Sequence, residues 1–405
     1  MNAICCRLAP LLMLVAGCTG VPDGTMPHDR QPQSINNASA TNSPAAADEI
    51  LLKDYRPQSI HKVPVTDIQR SKYPIINMHS HSYISREIRA ATPDGKGDPA
   101  RVEAAIQDRM KILDDVGIEK EILLTGSVGA KFDDACKEYS RHSDRFELWC
   151  GFETNNFDQP GYGPAAVAEL ERCVRKGAKG VGELVDKGRG FGVGKRESIA
   201  GAQGMHTDDP RLDPLFEKCA ELKLPVSIHV ADPVWVYEKI DTNNDGMINA
   251  QIYRIDSRKP ANGKDDTVGF DGMIDILERT ARRHPHTTII ACHLANLGHD
   301  LDRLGKLLDR CSNLFVDNSG RYAEIAVTPR AAIRFYRKYQ DRILFGTDMG
   351  PSAKHYRTLL RILETEDEHF YAPIFEFHWA YSGFGLEDAI LKKIYRDNAL
   401  RVLKP

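Results

Sequence analysis

PIINMHSHS, residues 74–82, runs from a short apolar stretch directly into two histidines one residue apart. Side chains of a strand alternate between faces, so positions two apart point the same way. His79 and His81 therefore share one face at the end of a strand. The apolar part lacks polar alternation, which marks a strand covered on both sides, as in a parallel sheet flanked by helices. Two imidazoles there are either a satisfied structural pair or half of a metal site, and HxH alone does not choose.

Seven runs of the same kind follow: EILLTG around Ile122, FELWCGF at 146–152, AKGVGEL at 178–184, PVSIHVA at 225–231, TTIIACHL at 287–294, LFVDNSG at 314–320 and RILFGTD at 342–348. Between them lie amphipathic stretches at 101–116, 212–223, 270–284, 299–311 and 355–368, with Gly117 and Pro225 as stop signals. Eight strand-then-helix units predict an α/β chain closed into a (β/α)8 TIM barrel, with a doubly wound open sheet as the alternative.

Functional side chains of such a barrel gather where strands end, on its C-terminal face. Those positions hold His79 and His81 on strand one, Glu183 on four, His229 on five, His293 on six, Asp317 on seven and Asp348 on eight. Each of these groups binds metal or moves protons. Imidazole nitrogens joined by carboxylate oxygen suit one divalent ion, zinc above others. The expected ligands are His79, His81 and His229, with Asp348 a weak contact that also accepts a proton from activated water. His293 is expected to orient that water or to polarise a substrate carbonyl. A second HxH, His284 and His286 in RRHPHTT, precedes strand six and so falls on the opposite, structural face.

These residues resemble the amidohydrolase superfamily: HxH on strand one, single histidines on strands five and six, and the Asp of FGTD on strand eight. LPVSIHVADP, IIACHLAN, ILFGTDMG and the closing YRDNALRVL are similar to its amidohydrolase-related branch, which includes aminocarboxymuconate-semialdehyde decarboxylase. The resemblance spans about residues 74–403. It implies a metal-dependent enzyme acting on a small molecule, and relatives of this kind often form homodimers. Superfamily members with two metals commonly carry a carbamylated lysine on strand four. Here the strand ends in Glu183, with Lys179 four residues too early. Glu183 is left with three roles: bridging a second metal, holding a ligand histidine, or touching substrate.

The 405 residues are 41% hydrophobic and 27% charged, ordinary for a globular chain. A formal net charge of −3 argues against nucleic acid as a partner. The N-terminus, MNAICCRLAPLLMLVAGCTG, has one positive charge and an apolar stretch too short to span a bilayer. VAGC resembles the bacterial lipobox, which implies a signal peptide over 1–17 and a lipid anchor at Cys18. Residues 18–68, rich in Pro, Ser, Asn, Ala and Thr, then read as a disordered tether, and 69–405 as the barrel domain. The expected location is the cell envelope, on the periplasmic side of the outer membrane in a Gram-negative cell. The other cysteines of the nine, Cys150 and Cys292 among them, read as buried thiols of the core.

A long loop, 232–268, follows strand five, and from it Trp235 and Tyr237 face either a substrate pocket or the core. Its segment DTNNDGMIN (241–249) partly matches a calcium loop but carries Ile252 where the bidentate Glu belongs. Arg321 and Tyr322 follow strand seven, where Arg321 either clamps a substrate carboxylate or pairs with Glu324 or Asp317. Three functions compete: hydrolysis of an amide, ester or lactone-type bond; non-oxidative decarboxylation by the same metal site; and ligand binding without catalysis by a lipoprotein.

Overall fold

The computed structural model describes residues 51–404 apart from 83, 85, 86, 89–96, 192–201, 249, 251–266 and 373–376. Residues 1–50, including the expected signal segment and Cys18, lie outside the described residues, as do Asn249 and Ile252 of the 241–252 loop. No described helix is long and apolar enough to cross a membrane.

Eight parallel strands carry the fold: β1 (Ile75–Ser80), β2 (Ile118–Leu124), β3 (Phe146–Trp149), β4 (Val181–Asp186), β5 (Val226–Val230), β6 (Ile289–Ala291), β7 (Leu314–Asp317) and β8 (Ile343–Leu344). Each precedes a helix: α1 (Pro99–Val116), α2 (Gly129–Tyr139), α3 (Tyr162–Lys176), α4 (Asp213–Glu221), α5 (Phe270–Arg283), α6 (Leu301–Arg310), α7 (Pro329–Tyr339) and α8 (Ala353–Glu364). Ladders join β1 to β2 to β3 and run from β4 through β5, β6 and β7 to β8. The ring closes at two seams. Cys150 N–H donates to Gly180 O and Gly182 N–H to Cys150 O between β3 and β4, while Met78 N–H donates to Phe345 O and Thr347 N–H to His79 O between β8 and β1. The closed barrel is the architecture expected, and the open sheet is excluded.

Every residue of β1, β4 and β5 is buried, because helices cover the outside and side chains fill the inside. Ile76 and Met78 of β1, Ile122 and Leu124 of β2, Trp149 of β3, Ile290 of β6 and Leu344 of β8 form one cluster with Ala399 and Val402. Side chains from so many strands around a ring can meet only within it. The last two belong to a terminal helix, Asn398–Leu403, that closes the N-terminal end. The Asn398 amide there donates to Gln340 O and Ile343 O at 2.7 Å each.

Local signals place the helices. Asp98 accepts from Ala100 N–H and Arg101 N–H with Pro99 at the first helical position of α1, and Gly117 at φ 90° ends it. The strand expected over 287–294 ends earlier, at Ala291. His293, Leu294, Ala295 and Asn296 follow in one left-handed turn, at φ 59°, 52°, 53° and 56°. Such a conformation costs about 1–2 kcal/mol per non-glycine residue, so the surroundings must impose it. Asn296 is held from both sides, its amide donating to Val230 O at 2.8 Å and its carbonyl accepting from Arg321 Nε at 2.9 Å.

Two residues of the expected tether contact the barrel domain. Ser59 Oγ lies 3.1 Å from His369 Nδ1, and Thr66 donates from N–H and Oγ1 to the Asp367 carboxylate at 2.8 and 2.7 Å. Ser59 and Thr66 thus tie this segment to the chain after α8 at two points.

Candidate metal centre

The strand ends bring four imidazoles and three carboxylates into one buried cluster. His79 and His81 reach it from β1, Glu183 from β4, His229 from β5, His293 from the left-handed turn, Asp317 from β7, and Asp348 from the bend after β8 at φ 58°. Glu183 is its hub. Its Oε1 lies 2.7 Å from His229 Nδ1, 3.4 Å from His293 Nε2 and 3.8 Å from His79 Nε2, and its Oε2 lies 3.5 Å from His81 Nε2. Asp348 closes the other side, with Oδ1 at 3.0 Å from His81 Nε2 and 3.4 Å from His79 Nε2, and Oδ2 at 3.8 Å from His293 Nε2. Two donor triads thus interlock, His79–His81–Asp348 and Glu183–His229–His293.

The outer nitrogen of each imidazole decides what its inner nitrogen can do. His81 Nδ1 donates to Leu124 O at 2.9 Å, His293 Nδ1 to Ser319 O at 2.9 Å, and His229 Nε2 to Ala231 O at 3.0 Å. His79 Nδ1 donates to Asp317 Oδ2 at 3.0 Å. With a proton on the outer nitrogen, which faces an acceptor, the inner nitrogen of each neutral ring can offer a lone pair to a cation. Four lone pairs therefore converge on carboxylates that are themselves acceptors. His79 Nε2 is buried and has no hydrogen-bond partner. A buried acceptor left in that state costs free energy unless a cation meets it. The donor set fits a divalent metal ion.

The electrostatics differ from ring to ring: nearby negative groups favour a proton on His79, while His229 is held neutral. Burial opposes charge on His79, but Asp317, Cys292 and Glu183 outweigh it and hold its pKa well above the usual value. Burial together with the Lys187 charge pushes His229 down to about 3, keeping its ring neutral as a ligand requires. Burial would raise Asp348, yet the imidazoles of His79, His81 and His293 beside it hold it below the usual carboxylate range. Glu183 is held low in the same way, chiefly by His229 and His79 against burial. Gly346 of FGTD has a steric reason: a Cβ there would lie 2.8 Å from His79 Cβ.

Asp317 is more than a loop anchor. It orients His79 through Nδ1 while its other oxygen accepts from His293 N–H and Ser319 N–H, at 3.1 and 3.0 Å. Ser319 Oγ lies 3.0 Å from both His79 Nδ1 and His293 Nδ1. Sequence reading passed over Ser319, and nothing in its spacing marks it. It also passed over Lys187, one residue past β4, whose Nζ pairs with Asp232 Oδ1 at 3.0 Å just past β5. Position at the strand ends was the available signal.

Three residues left open between a substrate contact and a structural role have partners within the protein. Arg321 directs Nε to Asn296 Oδ1 at 2.9 Å and to Glu324 Oε2 at 3.5 Å, so its partner is the protein's own carboxylate. Tyr322 is wholly buried and bonds through its hydroxyl to His355 Nε2. Trp235 packs with Phe377 and Trp379 at ring distances of 5.9 and 5.6 Å, and Gly246 is fitted against its indole. In the would-be calcium loop, Asp241 already accepts from Asn243 N–H and pairs with Lys239, so it serves a polar turn. His284 of the second HxH stacks on Phe216 with ring centres 4.5 Å apart and joins no cluster.

Burial pushes the Glu324 carboxyl from 4.5 up to about 7 against the pull of Arg321. The native state keeps this proton over a range where the unfolded chain has lost it. The resulting stabilisation is complete below pH 4.5 and is lost as pH rises through about 7. Glu324→Gln should therefore raise stability at about pH 8 by up to roughly 3 kcal/mol and leave it unchanged at about pH 4. Urea unfolding at both pH values checks this; an equal effect at each would refute the assignment.

The model of the amidohydrolase family matches residues 76–404. No curated protein matches the sequence. Similar solved structures include an uncharacterised TIM-barrel protein from Bordetella bronchiseptica, at 16% identity and TM-score 0.49, covering 82% of this chain and 98% of that one. Others are 5-carboxyvanillate decarboxylase from Sphingomonas paucimobilis, at 15%, 0.46, 82% and 99%, and 4-oxalomesaconate hydratase from Rhodopseudomonas palustris, at 16%, 0.46, 81% and 95%. With its (β/α)8 barrel and its family match over most of the described chain, the protein belongs to the amidohydrolase family of metal-dependent enzymes.

Proposed function

We propose that the protein is a metal-dependent hydrolase of an amide, ester or lactone-type bond in a small molecule. The observation that carries this reading is the convergence of four imidazole lone pairs, each fixed by an acceptor on its far nitrogen, around the partnerless His79 Nε2. His79, His81 and His229 would hold one divalent cation, zinc by donor chemistry, with Asp348 and Glu183 supplying oxygen. Such an ion lowers the pKa of water to about 7 and polarises a substrate oxygen.

The chain's own groups divide the remaining tasks. Asp348 has the most exposed side chain of the cluster, at 22%, so it faces entering substrate and takes the proton of the attacking water. His293 was expected to orient the water or to polarise a substrate carbonyl. Its Nδ1–H is committed to Ser319 O, so in the neutral ring Nε2 has a lone pair and joins the donors instead. Glu183 touches every imidazole and fixes their spacing, which favours direct contact with the cation over a peripheral role. Decarboxylation by the same centre would call for a cation to clamp the leaving carboxylate, and Arg321 is turned away toward Asn296 and Glu324. Hydrolysis is therefore the first reading. An envelope location through lipid at Cys18 and a homodimeric assembly belong to the same proposal and rest on the sequence.

Elemental analysis of the purified chain, followed by a panel of amides, esters and lactones in isotopically labelled water, tests the reading. A stoichiometric divalent metal, label in the product, and loss of both metal and turnover in His229→Ala are the expected results. Full turnover by a metal-free preparation, or carbon dioxide released without label, overturns it.

A further inference from the structure

One buried group at the centre has no part in the mechanism above. Cys292, expected as a buried thiol, is wholly buried just past the end of β6 and directly precedes His293. Its Sγ, a nitrogen of His79 and an oxygen of Glu183 all lie within 4.8 Å of one another. Ser227 Oγ, from β5, lies 3.0 Å from the sulfur. A hydroxyl at that distance can donate to sulfur and steady negative charge on it. The second, independent observation is His79 Nε2 itself, buried, without a hydrogen-bond partner, and 3.8 Å from the same Glu183.

We propose that Cys292 Sγ, His79 and Glu183 form a soft donor position on the barrel side of the centre, one that draws thiophilic divalent cations such as cadmium and zinc in preference to magnesium or manganese. The proposal rests on the metal-centre reading and extends it. Imidazole nitrogens already favour zinc over magnesium or manganese, and a sulfur donor adds a further preference for soft ions. Binding breaks the S–H bond and forms a sulfur–metal bond; the proton leaves to solvent, and no electron changes hands. Ser227 then supplies the hydrogen bond that the sulfur keeps. The other buried thiols, Cys150, Cys173, Cys219 and Cys311, join no such group among the described residues.

The test is a titration of the chelator-treated full chain with cadmium, then with manganese, read by near-ultraviolet absorbance and by equilibrium dialysis. The expected result is a sulfur-to-cadmium charge-transfer band that grows to stoichiometric saturation. Cys292→Ser should remove the band and lower cadmium affinity on the order of tenfold or more, while manganese affinity stays within about twofold. Cys292→Ala serves the same purpose if the serine variant fails to fold. Cadmium bound without the band, or a band that survives both substitutions, overturns this proposal and leaves the metal centre standing. No cation retained in dialysis by the unaltered chain overturns both, so the two failures are told apart.

Discussion

Glu183→Ala is expected to strip the protein of its divalent cation and to reduce turnover by far more than the roughly 10–100-fold that loss of an outer hydrogen-bond partner costs a metal site. The reason is geometric. Both Glu183 oxygens are used, one toward His79, His229 and His293 and the other toward His81, so no single histidine substitution disturbs as many donors. Without the carboxylate, four imidazoles face one another across a buried space with Asp348 and, behind His79, Asp317 to balance bound charge there. Glu183→Gln is the sharper comparison, since it keeps the volume and removes the charge. Metal content by elemental analysis, alongside circular dichroism to confirm the fold, reads the result. A Glu183→Ala protein that keeps full metal content would sink the central placement of this residue.

The second large effect lies beneath the centre. Arg109 of α1 is 1% exposed, and its Nε lies 2.7 Å from Glu121 Oε2, inside the layer between strands and helices. Its other nitrogens reach Ser80 Oγ at 2.7 Å and His81 O at 3.0 Å, so the pair also fixes the backbone of the HxH segment. Asn77, Ser80 and Tyr356 donate to the second Glu121 oxygen. Removing one partner leaves a buried charge without compensation, which typically costs about 3–5 kcal/mol. Arg109→Ala should lower stability by that amount and loosen metal binding through His81. The double variant Arg109→Ala, Glu121→Ala should recover part of the stability, since no lone charge remains. Denaturant midpoints across this cycle check the prediction, and additive losses would contradict it.

Much of the architecture could be read from local pattern. Each strand is a short apolar run between stop signals, and burial on both faces leaves no polar residue to break it, so all eight strands were legible. The ends of those strands then located His79, His81, Glu183, His229, His293, Asp317 and Asp348 together, because the barrel brings every strand end to one rim. Contacts made across the ring were not legible. Arg321 and Tyr322 were placed on the right face, but which way they turn depends on Asn296, Glu324 and His355, residues distant in sequence.

The chain order of apolar runs and polar strand ends thus determined, by itself, the barrel and the residues at its rim, since backbone period and burial are local properties. The tertiary structure alone decided how those residues are used. It set which nitrogen of each histidine faces inward, made Glu183 the hub, bent residues 293–296 into a left-handed turn, and brought Cys292 to the edge of the cluster. A tautomer or a strained turn is imposed by acceptors and packing from other strands, and no local spacing in the sequence encodes them.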